Sequence, residues 1–212
     1  MANSEVLDLV NNTLSCQNLA PFAKRTYGAT GGLVDGVPLI CGGYGSGYSD
    51  ECYRITKAQT SLVTTMSSQR LYAASVALEN KLWVMGGWSG SIYHITSEYI
   101  ETSGTTSGPN LPYGVERHAA VAWNSTSFML IGGSSSSSYY LSKTFYYHGD
   151  NPGWIPGPDM NQARFHHSAA LGMDQATNDP YIAVTGGYKS GNLDSVELLY
   201  EGETEWQAGK HQ

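Results

Sequence analysis

Apolar residues in this chain come in short runs rather than at helical spacing, and four of those runs stop at a pair of glycines. PLIC leads into Gly42-Gly43, LWVM into Gly86-Gly87, FMLI into Gly132-Gly133 and YIAVT into Gly186-Gly187. Short apolar runs bounded by turn signals read as buried strands. Glycine behind a strand supplies a positive φ or a close backbone approach. Upstream of each pair lies a run of small apolar residues such as AASVAL, separated from it by a turn such as ENK. Downstream come an alternating stretch (ECYRI, SEYIE, KTFYY, SVELL) and a last segment that carries a tryptophan in NPGWIPGPDM and TEWQAG. Each unit predicts four short strands. The segments are too short, and too rich in β-branched, aromatic and glycine residues, for a helix pair.

An arginine opens each unit: Arg25 in KRTYGATGG, Arg70 in QRLYAASVA, Arg117 in ERHAAVA and Arg164 in ARFHHSAA. They stand 45, 47 and 47 residues apart, a period that marks a repeat architecture. The arginine, the small-residue strand, the Gly-Gly pair, the aromatic third strand and the tryptophan of the fourth resemble the kelch repeat, one four-stranded blade of a β-propeller. The resemblance runs from Glu5 to Trp206. It implies an all-β fold of four-stranded antiparallel blades in one domain, with a leading half-repeat at 4–24 and repeats at about 25–69, 70–116, 117–163 and 164–207. The third repeat departs from it with Ser134 where the others have Tyr44, Trp88 and Tyr188, and the fourth inserts MDQATNDP. A six-bladed kelch ring takes roughly 280 residues at this period. With 212 residues, the expectation is an incomplete ring, an excerpt of a longer propeller, ahead of a four-bladed ring with a spare ribbon or an oligomer that shares strands.

Composition narrows the partners. Charged residues make up 14% and the formal net charge is −7, which argues against a nucleic-acid or anionic-membrane surface. No apolar run approaches ~20 residues, so no membrane span is expected. No basic segment followed by an apolar core opens the chain. The expectation is a soluble protein whose compartment, cytoplasmic or extracellular, is undecided. The cysteines are Cys16, Cys41 and Cys52. A hairpin would bring Cys41 and Cys52 side by side, where other repeats have Met85, Ile131 or Thr185 at the position of Cys41. A disulfide there implies an oxidising compartment, while two reduced cysteines filling apolar positions explain the same letters. Sequons at Asn11 and Asn124 are as many as chance provides in so Ser- and Thr-rich a chain, and decide nothing.

Catalytic signals are sparse. Among the six histidines, His166 and His167 are adjacent and point to opposite faces of a strand, the wrong geometry for one metal. There is no nucleophile elbow, phosphate loop or Cys-x-x-Cys. The expectation is a non-enzyme with no cofactor and no metal. A remote alternative is a fragment of a copper enzyme similar to galactose oxidase, whose ligand set of Tyr, His and a Tyr-Cys cross-link nothing here fixes, although His118 follows an arginine.

What remains is a module that binds a protein or peptide, in two competing forms. The kelch resemblance implies arginines lining the central mouth that hold acidic side chains of a partner, with Arg25, Arg70, Arg117 and Arg164 as candidates, since a planar guanidinium suits a carboxylate. In the other form each arginine braces backbone carbonyls. Recognition then falls to the loops behind the glycine pairs, with Tyr44, Tyr48, Trp88, Tyr93, Tyr139 and Tyr188 as contacts. The aromatics directly after the pairs are expected as wedges between blades. An extracellular propeller with a structural or adhesive role is the alternative function.

Overall fold

Within each sheet of the described residues, strands adjacent in sequence lie side by side. The computed structural model describes residues 5–8, 15–18, 21–22, 24–149 and 151–209, with backbone alone for 5–8, 15–18 and 151–152. β1 (Glu5–Asp8) and β2 (Ser15–Asn18) form an antiparallel pair. Four four-stranded antiparallel meanders follow. The first holds β3 (Thr30–Val34), β4 (Val37–Cys41), β5 (Glu51–Ile55) and β6 (Thr60–Thr65), and the second holds β7 (Ala74–Leu78), β8 (Lys81–Met85), β9 (Ser97–Glu101) and β10 (Gly104–Ser107). The third holds β11 (Ala119–Ala122), β12 (Ser127–Ile131), β13 (Thr144–His148) and β14 (Asn151–Pro156), and the fourth β15 (Ser168–Met173), β16 (Pro180–Thr185), β17 (Val196–Tyr200) and β18 (Gln207–Ala208). The described residues contain no helix. The expected all-β class stands, and the four sheets are arranged as blades of a propeller-like assembly. The sequon at Asn11 and the Cys16 side chain lie outside the described residues.

Local chemistry sets the hairpins. Asp35 and Gly36 between β3 and β4, and Glu79 and Asn80 between β7 and β8, all have positive φ (50°, 71°, 49° and 62°). Two central residues of that kind make the turn whose twist matches the strands it joins.

The first strands of successive blades adjoin, β3 beside β7, β7 beside β11 and β11 beside β15. Between blades lie three apolar clusters. Leu39, Cys41 and Met66 of the first blade meet Leu82, Val84 and Ile100 of the second. Trp83 and Met85 meet Phe128, Leu130 and Tyr147, and Met129 and Ile131 meet Ile182, Val184 and Leu199. Each blade buries a face only against a neighbour, as expected of a repeat that cannot enclose a core alone. The tryptophans join these seams. Trp154 packs on the second cluster and donates Nε1–H to the Pro109 carbonyl at 3.3 Å, and Trp206 does the same to Pro158 at 2.9 Å.

The glycine pairs are where blades touch through backbone. The second glycine donates its N–H to the next blade: Gly43 to the Arg70 carbonyl at 2.7 Å, Gly87 to Val115 at 2.8 Å and Gly133 to Arg164 at 2.9 Å. A Cβ on the first glycine would lie 2.5 Å, 2.4 Å and 2.8 Å from those same carbonyls at Gly42, Gly86 and Gly132. All of these glycines have positive φ, so neither space nor backbone admits another residue. Gly186 differs, with nothing nearer than the Leu193 carbonyl at 3.8 Å.

Candidate binding surface

The four arginines are not equivalent. The residue bridged to the one after the glycine pair marks the register: Tyr27 to Tyr44, Leu71 to Trp88, Glu116 to Ser134 and Phe165 to Tyr188. Immediately before those residues stand Thr26, Arg70, Val115 and Arg164. Arg25 is therefore one place early and Arg117 two places late, and only Arg70 and Arg164 share a position.

That shared position is interior. Arg70 donates to the Gly86 carbonyl at 2.7 Å, the Thr96 carbonyl at 3.1 Å, Thr96 Oγ1 at 2.7 Å and Glu98 Oε1 at 2.7 Å. Arg164 repeats the pattern on the Gly186 carbonyl at 2.7 Å, the Ser195 carbonyl at 3.2 Å, Ser195 Oγ at 2.9 Å and Glu197 Oε1 at 2.8 Å. Both guanidinium side chains are 0% exposed. The carboxylates turn their remaining capacity to the incoming linker, Glu98 accepting from Ser67 N–H and Glu197 from Asn161 and Gln162 N–H. The expectation that Arg70 and Arg164 meet a partner is corrected. Every donor direction is committed inside the blade, and a guanidinium sealed from solvent cannot reach a foreign carboxylate.

Arg117 lies at the mouth. Its backbone is left-handed at φ 56°, as are Tyr72 at 57° and His166 at 55°, with Gly28 at 63° in the same place of the first blade. Tyr72 N–H bonds the Gly28 carbonyl, Arg117 N–H that of Tyr72, and His166 N–H that of Arg117, at 2.9, 2.9 and 3.0 Å. This ladder steps from blade to blade and forms an inner lip. Three non-glycine residues in a conformation that L side chains rarely adopt are held there by their neighbours.

Side chains on the lip continue into the loops. Rings follow one another from Tyr48 to Tyr44 (4.9 Å), Tyr27 (5.6 Å), Tyr72 (6.2 Å), His166 (5.0 Å), Phe165 (5.2 Å), Tyr140 (5.7 Å) and Tyr139 (6.0 Å). Trp88 joins at Tyr48 and Tyr188 at Phe165. The Arg117 guanidinium stands over Tyr72 at 4.6 Å and Phe165 at 5.6 Å and donates to Glu116 Oε1 at 2.7 Å. Burial pushes the Glu116 carboxyl up, opposed by Arg117. Tyr44, Trp88 and Tyr188 are partly exposed in this crown, and two of them meet a ring of the preceding blade there, Trp88 against Tyr48 at 5.6 Å and Tyr188 against Tyr140 at 6.3 Å. Tyr93 pairs by backbone with Trp88, and Arg25 is exposed beside Tyr27 and Tyr44. Sequence reading missed Tyr27, Tyr72, Tyr140, Phe165 and His166. The available signal was the bulky residue one or two places after three of the four arginines, in RTY, RLY and RF.

Beneath the lip, His118 and His167 share one blade position and are buried, and among the described residues neither ring nitrogen of His118 has a hydrogen-bond partner. Among the described residues no three His, Cys, Asp or Glu side chains gather as a metal group. Cys41 and Cys52 face each other across β4 and β5 and are joined as a disulfide, with Cα atoms 4.1 Å apart.

Comparison with protein-family models and with curated proteins found no match for this chain.

Proposed function

We propose that the chain is a kelch-type, non-catalytic module that binds a protein or peptide partner through the aromatic crown at its mouth. The observation that carries this reading is the continuous path of rings around Arg117, built on three left-handed residues. Rigid aromatic side chains give large contact area at low entropic cost, and strain retained at a lip marks a place where side-chain direction matters. An acidic partner segment has fewer cations to meet than four arginines would offer. Arg25 and Arg117 remain, and Arg117 already faces Glu116.

Selection from a displayed peptide library tests the reading. Peptides enriched on the wild-type chain lose binding to the Tyr72→Gly/Arg117→Gly variant, which keeps the backbone that Gly28 shows to be allowed. Peptides that bind the variant equally well place recognition elsewhere. The Cys41–Cys52 disulfide favours an extracellular form of the same reading. Alkylation with and without prior reduction, read by mass, tests it, since free thiols at both positions remove its support.

A further inference from the structure

We propose that a cavity in the first blade binds a guanidinium group, in the form of an arginine side chain of a partner. The idea deepens the binding-module reading and rests on it. In the second and fourth blades the space under the Gly-Gly loop is filled by the chain's own Arg70 and Arg164. In the third blade Val115 and Phe145 stand at the places of the arginine and glutamate, and the mostly apolar side chains there leave a void of only about 10 Å³. In the first blade Thr26 stands where the arginine would be and Tyr53 where Glu98 and Glu197 are, by the pairing of Ile40 with Tyr53 and of Val84 with Glu98. There the same space is a cavity of about 870 Å³, open to solvent.

Its walls keep what a guanidinium needs. Gly42 occupies the place of Gly86 and Gly186, whose carbonyls each take an arginine N–H. Glu51 occupies the place of Thr96 and Ser195, since its carbonyl accepts from Gly42 N–H as theirs do from Gly86 and Gly186. It therefore offers the second carbonyl and also the carboxylate that the arginine pockets draw from Glu98 or Glu197. Tyr53 Oη orients that carboxylate from 2.9 Å. Asp50 adds a second acid, and the linker wall is in place through Phe22 and Lys24. Among the described residues Thr26 Oγ1 is buried without a hydrogen-bond partner. The Lys24 ammonium reaches Glu51 from a half-exposed position, but a point charge cannot span two carbonyls and a carboxylate as a planar fork does. Tyr27, Tyr44 and Tyr48 also line the cavity and suit the aliphatic stem and cationic plane of an arginine. The pocket thus connects to the crown, so an arginine anchored here would lead its peptide across the rings.

N-acetyl-arginine amide, titrated into the full chain and followed by amide chemical shifts at Thr26 and Gly42, is the direct probe, with N-acetyl-lysine amide as control. Saturable binding is expected for arginine, about tenfold tighter than for lysine. Glu51→Gln weakens it by about tenfold. Thr26→Arg/Tyr53→Glu rebuilds the internal pair and abolishes it. No saturation, equal binding of lysine, or binding that survives Thr26→Arg/Tyr53→Glu or Glu51→Gln overturns the proposal. Loss of arginine binding with the peptide selection intact sinks this pocket alone, and the reverse result sinks the crown.

Discussion

The second and fourth blades bury an arginine and a glutamate where the first and third bury neither. Four copies of one backbone thus carry two solutions to the same interior position, and the letters change together: Arg70 with Glu98, Arg164 with Glu197, but Thr26 with Tyr53 and Val115 with Phe145. This is what buried charge demands. Desolvating one ion without its partner costs more than the pair returns, whereas an apolar pair of similar volume is often as stable. The pair is therefore kept whole or dropped whole, and the carbonyls of the glycine loop face a guanidinium in the second and fourth blades, apolar side chains in the third and a solvent-open cavity in the first.

Breaking one pair should have the largest effect. Glu98→Ala leaves the Arg70 guanidinium buried and uncompensated and should lower unfolding free energy by about 3–5 kcal/mol. The third blade's solution, Arg70→Val with Glu98→Phe, should recover most of that loss in a urea titration. A double variant as unstable as the single one would mean that the arginine's bonds to Gly86 and Thr96, not the charge balance, hold the loop.

A second contrast sets the third and fourth blades against the first two. His118 and His167 occupy positions held by Ala29 and Ala73. Burial pushes the His118 pKa down to about 3 and that of His167 to about 4. An unfolded histidine titrates near 6.5. Below that pH the unfolded chain takes up protons that the folded chain refuses, so stability is full above about 6.5 and falls as pH drops toward about 4. The slope approaches ~1.4 kcal/mol per pH unit for each ring, a loss on the order of 2–4 kcal/mol between pH 7 and pH 5. Urea midpoints across that range measure it. His118→Ala, which copies the second blade, should about halve the slope, and an unchanged slope would put the titration elsewhere.

These contrasts also explain what the sequence exposed and what it hid. The glycine pairs were legible because two physical demands, positive φ and a neighbour's carbonyl in the place of a Cβ, leave glycine alone at Gly42, Gly86 and Gly132. Trp154 and Trp206 were legible because a ring of that size between blades has few substitutes. The arginines misled because a period measures spacing, not register. Arg25 and Arg117 fall close to the repeat length, yet hydrogen bonding puts them one place early and two places late. The crown was hidden for a related reason. Tyr72, Arg117 and His166 share nothing as letters and are united only by a left-handed backbone.

The first blade lacks the ion pair but has a covalent tie that the others lack. Cys41 and Cys52 stand where the second blade has Met85 and Ser97 and the third Ile131 and Thr144. Their sequence separation is 11, and closing a loop of that size in the unfolded chain corresponds to about 2–3 kcal/mol. Unfolding with and without reductant should differ by that amount. An identical midpoint would mean that the buried side chains, not the bond, hold this seam.

The smallest effect belongs to the lip, where the first blade has Gly28 and the others Tyr72, Arg117 and His166. A left-handed residue other than glycine costs on the order of 1 kcal/mol, and a ring or cation stacked on its neighbours returns about as much. Tyr72→Gly and Arg117→Gly should therefore each change stability by less than about 1 kcal/mol, with either sign. Tyr72→Val should cost more, because a β-branched residue tolerates that backbone poorly. The contrast separates two reasons for keeping a tyrosine there. If glycine is neutral for folding but removes the selected peptides, the side chain is held at the mouth for what it meets from outside. If glycine costs 2 kcal/mol or more, on the scale of a buried core residue, Tyr72 belongs to the packing of the lip, and the crown is a consequence of the blades' convergence rather than a surface kept for a partner.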